Sequence, residues 1–289
     1  MKIALYDVDN TKYPNYALMK ISSYHKKIGN DVVFYDPLWH NTYDKIYASS
    51  VFSYSNKTYV TDDMIRGGSG FDLKTILLKV IDIEKPDLSL YNLDYAIGYL
   101  TRGCIRNCNF CIVPEKEGKL SKYLNIEDIL QGKKKVILMD NNVLASDHGL
   151  EQIEKIIKLG VKVDFNQGLD ARIIADNKEI AQLLSQVKWL KPLRMACDSE
   201  DALEPVIKAT ELLRSYNCTP RNYFIYHVIQ DINKSNKILD ELLLNGLDPF
   251  AQPFINKQGI VVNKEAKRMA RWCNHKAIFK TVTWDDYKK

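Results

Sequence analysis

The chain has 289 residues and a net charge of +5, from 41 Lys and Arg against 36 Asp and Glu. Hydrophobic residues at 46% and charged residues at 27% are ordinary globular values, which excludes a disordered chain, a collagen and a coiled coil. The mild positive charge permits nucleic acid as a partner without arguing for it, and no apolar run approaches the roughly 18 residues that span a bilayer, so no membrane partner is expected. The opening Met1-Lys2-Ile3-Ala4-Leu5-Tyr6-Asp7 reaches an acid too soon for a signal peptide, which predicts a cytoplasmic protein. Six Cys are too sparse for a disulfide scaffold.

Residues 1–93 alternate strands and helices. An apolar strand is predicted at 2–8, then a helix at 16–28 with Leu18, Ile21, Tyr24 and Ile28 at helical spacing and Gly29 as its stop. Strands follow at 31–35 and 45–52. The glycine-rich stretch Arg66-Gly67-Gly68-Ser69-Gly70 then leads into a predicted helix at 73–83. The pattern is α/β with a parallel sheet, a small Rossmann-like unit.

Residues 94–289 repeat a strand–helix unit, with strands predicted at 95–100, 135–140, 162–166, 193–197, 223–229 and 249–255. Helices are predicted at 201–216 (Leu203, Val206, Ile207 and Leu213 on one face), at 237–244, stopped by Asn245-Gly246, and near 264–272. Six such units fall short of an eight-unit barrel. They suit a partial (β/α)6 barrel with its site at the carboxyl ends of the strands.

The first 103 residues contain no Cys; Cys104, Cys108 and Cys111 then arrive together after the first strand of the second unit. Three thiolates on one loop can hold three irons of a four-iron cluster and leave the fourth with an open coordination site. The same three can also hold zinc if His148 or His227 completes the set, although neither has finger-like spacing. That arrangement would make a zinc-stabilised, non-catalytic binding protein. Cys197, Cys218 and Cys273 are scattered, which argues against a second cluster and reads as packing.

The loop Cys104-Ile-Arg-Asn-Cys108-Asn-Phe110-Cys111 resembles the cluster loop of the radical S-adenosylmethionine (SAM) enzymes, and Phe110 fits the aromatic before the last Cys. The resemblance covers about residues 94–289. It is closest to an uncharacterised subgroup with the stretch running from Cys108 to Gly118 (Phe-Cys-Ile-Val-Pro-Glu-Lys-Glu-Gly at its end) and an Asp-Asn-Asn after the second strand. It implies a [4Fe-4S] cluster on the three cysteines. SAM chelates the open iron and is reductively cleaved to methionine and a 5′-deoxyadenosyl radical, which abstracts hydrogen from a substrate the sequence does not name. A reduced flavodoxin or ferredoxin is the implied electron donor.

The resemblance also implies SAM-binding roles at the strand ends. Asp140 and Asn141, with Asn142 beside them, stand where the family binds the SAM amino group; an Asx turn is the structural alternative. Gln167, Asp170 and Arg172 follow the third strand, where Arg172 can clamp the SAM carboxylate or pair with Asp170. Asp198 stands where the family meets the SAM ribose, or else caps the next helix with Ser199. Tyr226 and Gln252 are candidates for a substrate pocket.

A Rossmann-like unit ahead of such a barrel resembles the cobalamin-binding radical SAM methyltransferases, whose Gly-Gly stretch has a counterpart in Gly67-Gly68-Ser69-Gly70. Their D-x-H-x-x-G loop is missing, because Asp9-Asn10-Thr11-Lys12-Tyr13-Pro14 stands in its place, so cobalamin ligation through His is unsupported. The methylthiotransferases carry a similar Cys-Phe-Cys-Ile-Val-Pro-like stretch, but their N-terminal unit holds three further Cys that are absent here.

Overall fold

The computed structural model describes residues 1–256, 259–261 and 263–288. The first unit runs β1 (Lys2–Asp7), α1 (Tyr16–Lys27), β2 (Asp31–Phe34), β3 (Lys45–Ser49) and β4 (Ile65–Gly67). Its strands form a parallel sheet in the order β2-β1-β3-β4. β1 is central and apolar on both faces. Ile3 and Leu5 pack with Leu18 and Ile21 of α1, while Ala4 packs on the other side with Ile46 and Met64. Asn15 caps α1 by accepting the Leu18 N–H at 3.3 Å, and Gly29 at φ +78° turns the chain out of it.

The helix expected over 73–83 shrinks to α2 (Lys79–Asp82). Two causes are visible. The Asp72 carboxylate takes the Lys74 and Thr75 N–H groups at 2.7 and 2.5 Å, and Lys116 Nζ takes the Thr75 carbonyl at 2.7 Å, so this backbone bonds outside a helical ladder. Of the apolar run from Ile76 to Ile83, only Ile81 is fully buried, with Leu77 half-buried against the same core.

The second unit runs β5 (Ala96–Gly98), β6 (Thr101–Arg102), α3 (Val113–Lys116), β7 (Ser121–Lys122), α4 (Ile126–Leu130), β8 (Lys135–Leu138), α5 (Asp147–Lys158) and β9 (Lys162–Phe165). It continues through α6 (Ala171–Ala175), α7 (Lys178–Ser185), β10 (Lys188–Trp189), β11 (Leu193–Ala196), α8 (Glu200–Ser215), β12 (Tyr223–Ile229), α9 (Ile232–Leu244), β13 (Asp248–Pro253) and α10 (Lys264–Asn274). All six expected strands form. They pair as two parallel sheets, β10-β9-β8-β5 and β11-β12-β13, rather than as one ladder. The unexpected β10 is the reason: it takes the edge of β9 that β11 would otherwise occupy. The two sheets are still tied together. The Leu169 N–H donates to the Arg194 carbonyl at 2.7 Å, and the Arg194 guanidinium pairs with the buried Asp164 carboxylate.

Helices cover one face of these sheets. Val136, Leu138, Val163 and Phe165 meet Ile153, Ile156, Leu184, Val206 and Leu213 in the largest core. The opposite face of β5 and β8 packs against the first unit, where Ile97, Ile137 and Met139 meet Tyr16, Met19 and Leu88. The ends of β5, β8, β9 and β11 are thereby held in one neighbourhood. Among the described residues no helix is long and apolar enough to cross a membrane.

Candidate functional site

The cysteine loop hangs from a two-strand antiparallel pair, β6 with β7. Gly103 opens it at φ +81°, and the Cys104 N–H closes back on the Gly118 carbonyl at 3.4 Å. Cys104 is half-buried; Cys108 and Cys111 are exposed. Backbone N–H groups face two of the sulfurs: Arg106 N–H donates to Cys104 Sγ at 3.3 Å and Val113 N–H to Cys111 Sγ at 3.5 Å. Burial raises the Cys108 and Cys111 thiols, and the neighbouring thiols of the loop add to that rise, which places all three within electrostatic reach of one another. Phe110 is half-buried between the last two cysteines.

Several expected strand-end residues converge on this loop. Asn142 donates through Nδ2 to Asp170 Oδ2 at 3.0 Å and lies 3.7 Å from Cys104 Sγ, while its buried Oδ1 has no partner among the described residues. Asp170 caps α6 by accepting the Arg172 N–H at 3.2 Å. Its ionic partner is Arg106, at 2.8 Å, and not Arg172 as one alternative held. Arg172 is exposed, and burial raises the Cys108 and Cys197 thiols and the Asp198 carboxyl, a rise that the Arg172 charge only partly offsets. Asp198 accepts the Val228 N–H at 2.8 Å, and burial raises its carboxyl. Neither Asp198 nor Ser199 accepts a first-turn N–H as a side-chain cap of α8.

Other expected residues stand elsewhere. Asp140 is turned inward, where its two oxygens accept the Leu100 N–H at 3.2 Å, the Thr101 N–H at 2.5 Å and the Thr101 hydroxyl at 2.7 Å. Asn141 donates to Glu117 Oε2 at 2.9 Å. Gln167 is exposed beyond β9. Tyr226 donates to the Asn166 carbonyl at 3.3 Å, and Gln252 is exposed on β13 opposite Val228. Both lie on the same face of the second sheet as Phe224 and Phe250, whose rings stack at 5.5 Å.

Sequence reasoning overlooked Glu117 and Arg106. Glu117 gathers the Gly103 N–H at 2.9 Å, Arg102 at 2.8 Å and Asn141, so it braces the loop from within. The signal was its place in Glu-Lys-Glu-Gly just after the cysteines; that of Arg106 was its place between two of them.

The zinc arrangement finds no fourth ligand. His148 bonds the Leu124 carbonyl at 3.0 Å, and the buried His227 bonds the Cys197 carbonyl at 2.5 Å and the Ser235 hydroxyl at 2.8 Å. Among the described residues no three His, Cys, Asp or Glu side chains converge to hold a metal ion. Cys197, Cys218 and Cys273 are buried, and burial pushes their thiols up to about 12, about 11 and about 12. They are inert packing groups.

The glycine loop of the first unit is closed by protein. A Cβ on Gly68 would lie 2.2 Å from the Ser50 carbonyl oxygen, and one on Gly70 2.6 Å from that of Phe52. Asp9 binds the same segment through the Ser50 and Ser55 hydroxyls at 2.9 and 2.6 Å and the Val51 N–H at 2.6 Å. These glycines serve a backbone-on-backbone contact within the first unit.

No family model matches the chain. Bacteriochlorophyllide d C-12(1)-methyltransferase of Chlorobaculum tepidum is 27% identical over 158 residues, which is 47% of this chain and 34% of that protein. The chain thus matches about a third of the length of this relative.

Proposed function

We propose that this chain is a radical SAM enzyme, with its two parallel sheets acting as one part-closed (β/α)6 wall around the site. The observation that supports this best is the set of three cysteines on one loop, two of them exposed, with N–H donors on two of their sulfurs and with Asn142 beside Cys104, held by Asp170. That donor set suits a [4Fe-4S] cluster on Cys104, Cys108 and Cys111. When bound, the cluster supplies the one electron that cleaves SAM.

The protein's own groups bind and orient. The orphaned Asn142 Oδ1 is a buried acceptor that needs a donor, and the SAM ammonium supplies one. This moves the amino-group role from Asp140, whose oxygens already accept three donors, to its neighbour but one. Arg172 is the cation for the SAM carboxylate. Asp198 has a second oxygen for a ribose hydroxyl. Phe224, Tyr226 and Phe250 form an aromatic wall for substrate, with Gln252 at its end. A reduced flavodoxin or ferredoxin is the electron donor this reading calls for. The relative's name makes methyl transfer the first reaction class to assay.

Electron paramagnetic resonance of anaerobically reconstituted, reduced protein tests the reading. A four-iron signal that changes when SAM is added is expected, and Cys108→Ala should abolish it. Folded protein that takes up no iron, or a Cys108→Ala variant with an unchanged spectrum, would sink the assignment.

A further inference from the structure

The three sulfurs of the loop are not equivalent. Cys104 Sγ is approached by two N–H groups, the Arg106 backbone at 3.3 Å and Asn142 Nδ2 at 3.7 Å. Cys111 Sγ is approached by the Val113 N–H at 3.5 Å. Both residues that serve Cys104 are held by a single oxygen, since Asp170 Oδ2 accepts Arg106 Nε at 2.8 Å and Asn142 Nδ2 at 3.0 Å. Asp170 itself is anchored as the cap of α6.

This arrangement decides which way the Asn142 amide faces. Turned over, it would set its carbonyl oxygen against the Asp170 carboxylate, acceptor against acceptor. Asn142 is also 3% exposed, so water does not compete for its N–H. Asp170 therefore keeps a donor aimed toward Cys104. Reduction of a cluster adds negative charge that is shared with its thiolate ligands. A fixed N–H beside one of those sulfurs stabilises the reduced state more than the oxidised one.

We propose that Asn142, oriented by Asp170, is a positioning residue that raises the reduction potential of the cluster through the Cys104 sulfur. The inference rests on the cluster reading above. The couple is a simple one-electron gain by the cluster from an external reductant, with no bond made or broken. Asn142 bridges the loop after β8 to the cysteine loop, and Asp170 adds the loop after β9, so one polar chain links two strand ends to the ligand with the most donors.

The test is a dithionite redox titration of the reconstituted full chain without SAM, followed by the reduced-cluster paramagnetic signal. Wild type is compared with Asn142→Leu, which keeps the volume and removes the donor, and Asn142→Val, which removes it with a smaller side chain. The midpoint potential should shift negative in both, with the iron content of each close to wild type. Should Asn142→Leu not fold, Asn142→Val makes the comparison alone. An unchanged midpoint in the variants overturns the inference. So does lost iron with an unchanged midpoint in the clusters that remain, because that result belongs to a structural role. A wild-type sample without a four-iron signal fails before any substitution is made; it overturns the cluster reading and this inference with it.

Discussion

Asp140 shows how far one side chain can depart from its sequence context. It stands at the end of β8, where an acceptor for an ammonium was expected, yet it is 3% exposed and bonded to the turn after β5. Burial pushes its carboxyl up to about 6, against an ordinary value of 3.8, although three donors oppose the rise. A raised folded value means that the fold prefers the neutral acid. The stabilising share is complete below the unfolded value and is lost as pH climbs to the folded one. Wild-type stability relative to Asp140→Asn should therefore fall between about pH 4 and about pH 6 and level off above, by at most about 3 kcal/mol. Urea unfolding across that range measures it; a flat difference would mean an ordinary carboxyl. Cys104, Cys108 and Cys111 were readable because their spacing is local. The inward turn of Asp140 was not, because its donors lie 39 and 40 residues earlier in the chain.

The cysteine loop works as an element through its two ends. Gly103 needs its missing side chain twice over: φ is +81°, and a Cβ would lie 2.3 Å from the Lys119 carbonyl oxygen. Gly118 has φ +75° but nothing within 4 Å. Gly103→Ala should spread β6 from β7 and lose most of the iron taken up on reconstitution. Gly118→Ala should cost only about 1 kcal/mol of backbone strain and keep it. Iron content per chain separates the two, and equal loss in both variants would show that the whole loop is merely intolerant. The other elements were legible to different degrees. α1, α8 and the six strands expected in the second unit follow apolar periodicity and appear within a few residues of expectation. The run from Ile76 to Ile83 carries the same apolar content, but Ile76, Leu78, Val80 and Ile83 stay exposed while Leu77 and Ile81 meet the core, and only α2 forms.

At the scale of the whole molecule, the buried pair Asp164 and Arg194 bridges the two sheets of the second unit where backbone pairing stops. Removing one partner strands a charge in a low-dielectric place. Asp164→Ala should destabilise by about 3–5 kcal/mol. The double variant Asp164→Leu with Arg194→Met should cost clearly less than the single change, since no charge is left unpaired. Chemical denaturation of both reads the difference, and additive losses would show that the pair does not couple the sheets.

The sequence by itself determined the α/β alternation, the six strands expected after residue 94 and the grouping of three cysteines on one loop. These are local properties, because periodicity and spacing repeat along a few neighbouring residues. Only the tertiary structure decided that β10 separates the two sheets and that the glycine loop closes on Ser50 and Phe52. It also decided that Asp170 holds Arg106 and Asn142 rather than the Arg172 side chain. Those pairings join groups tens of residues apart. Which carboxylate meets which donor depends on where whole strands end relative to one another, and no residue carries that information in its own neighbourhood.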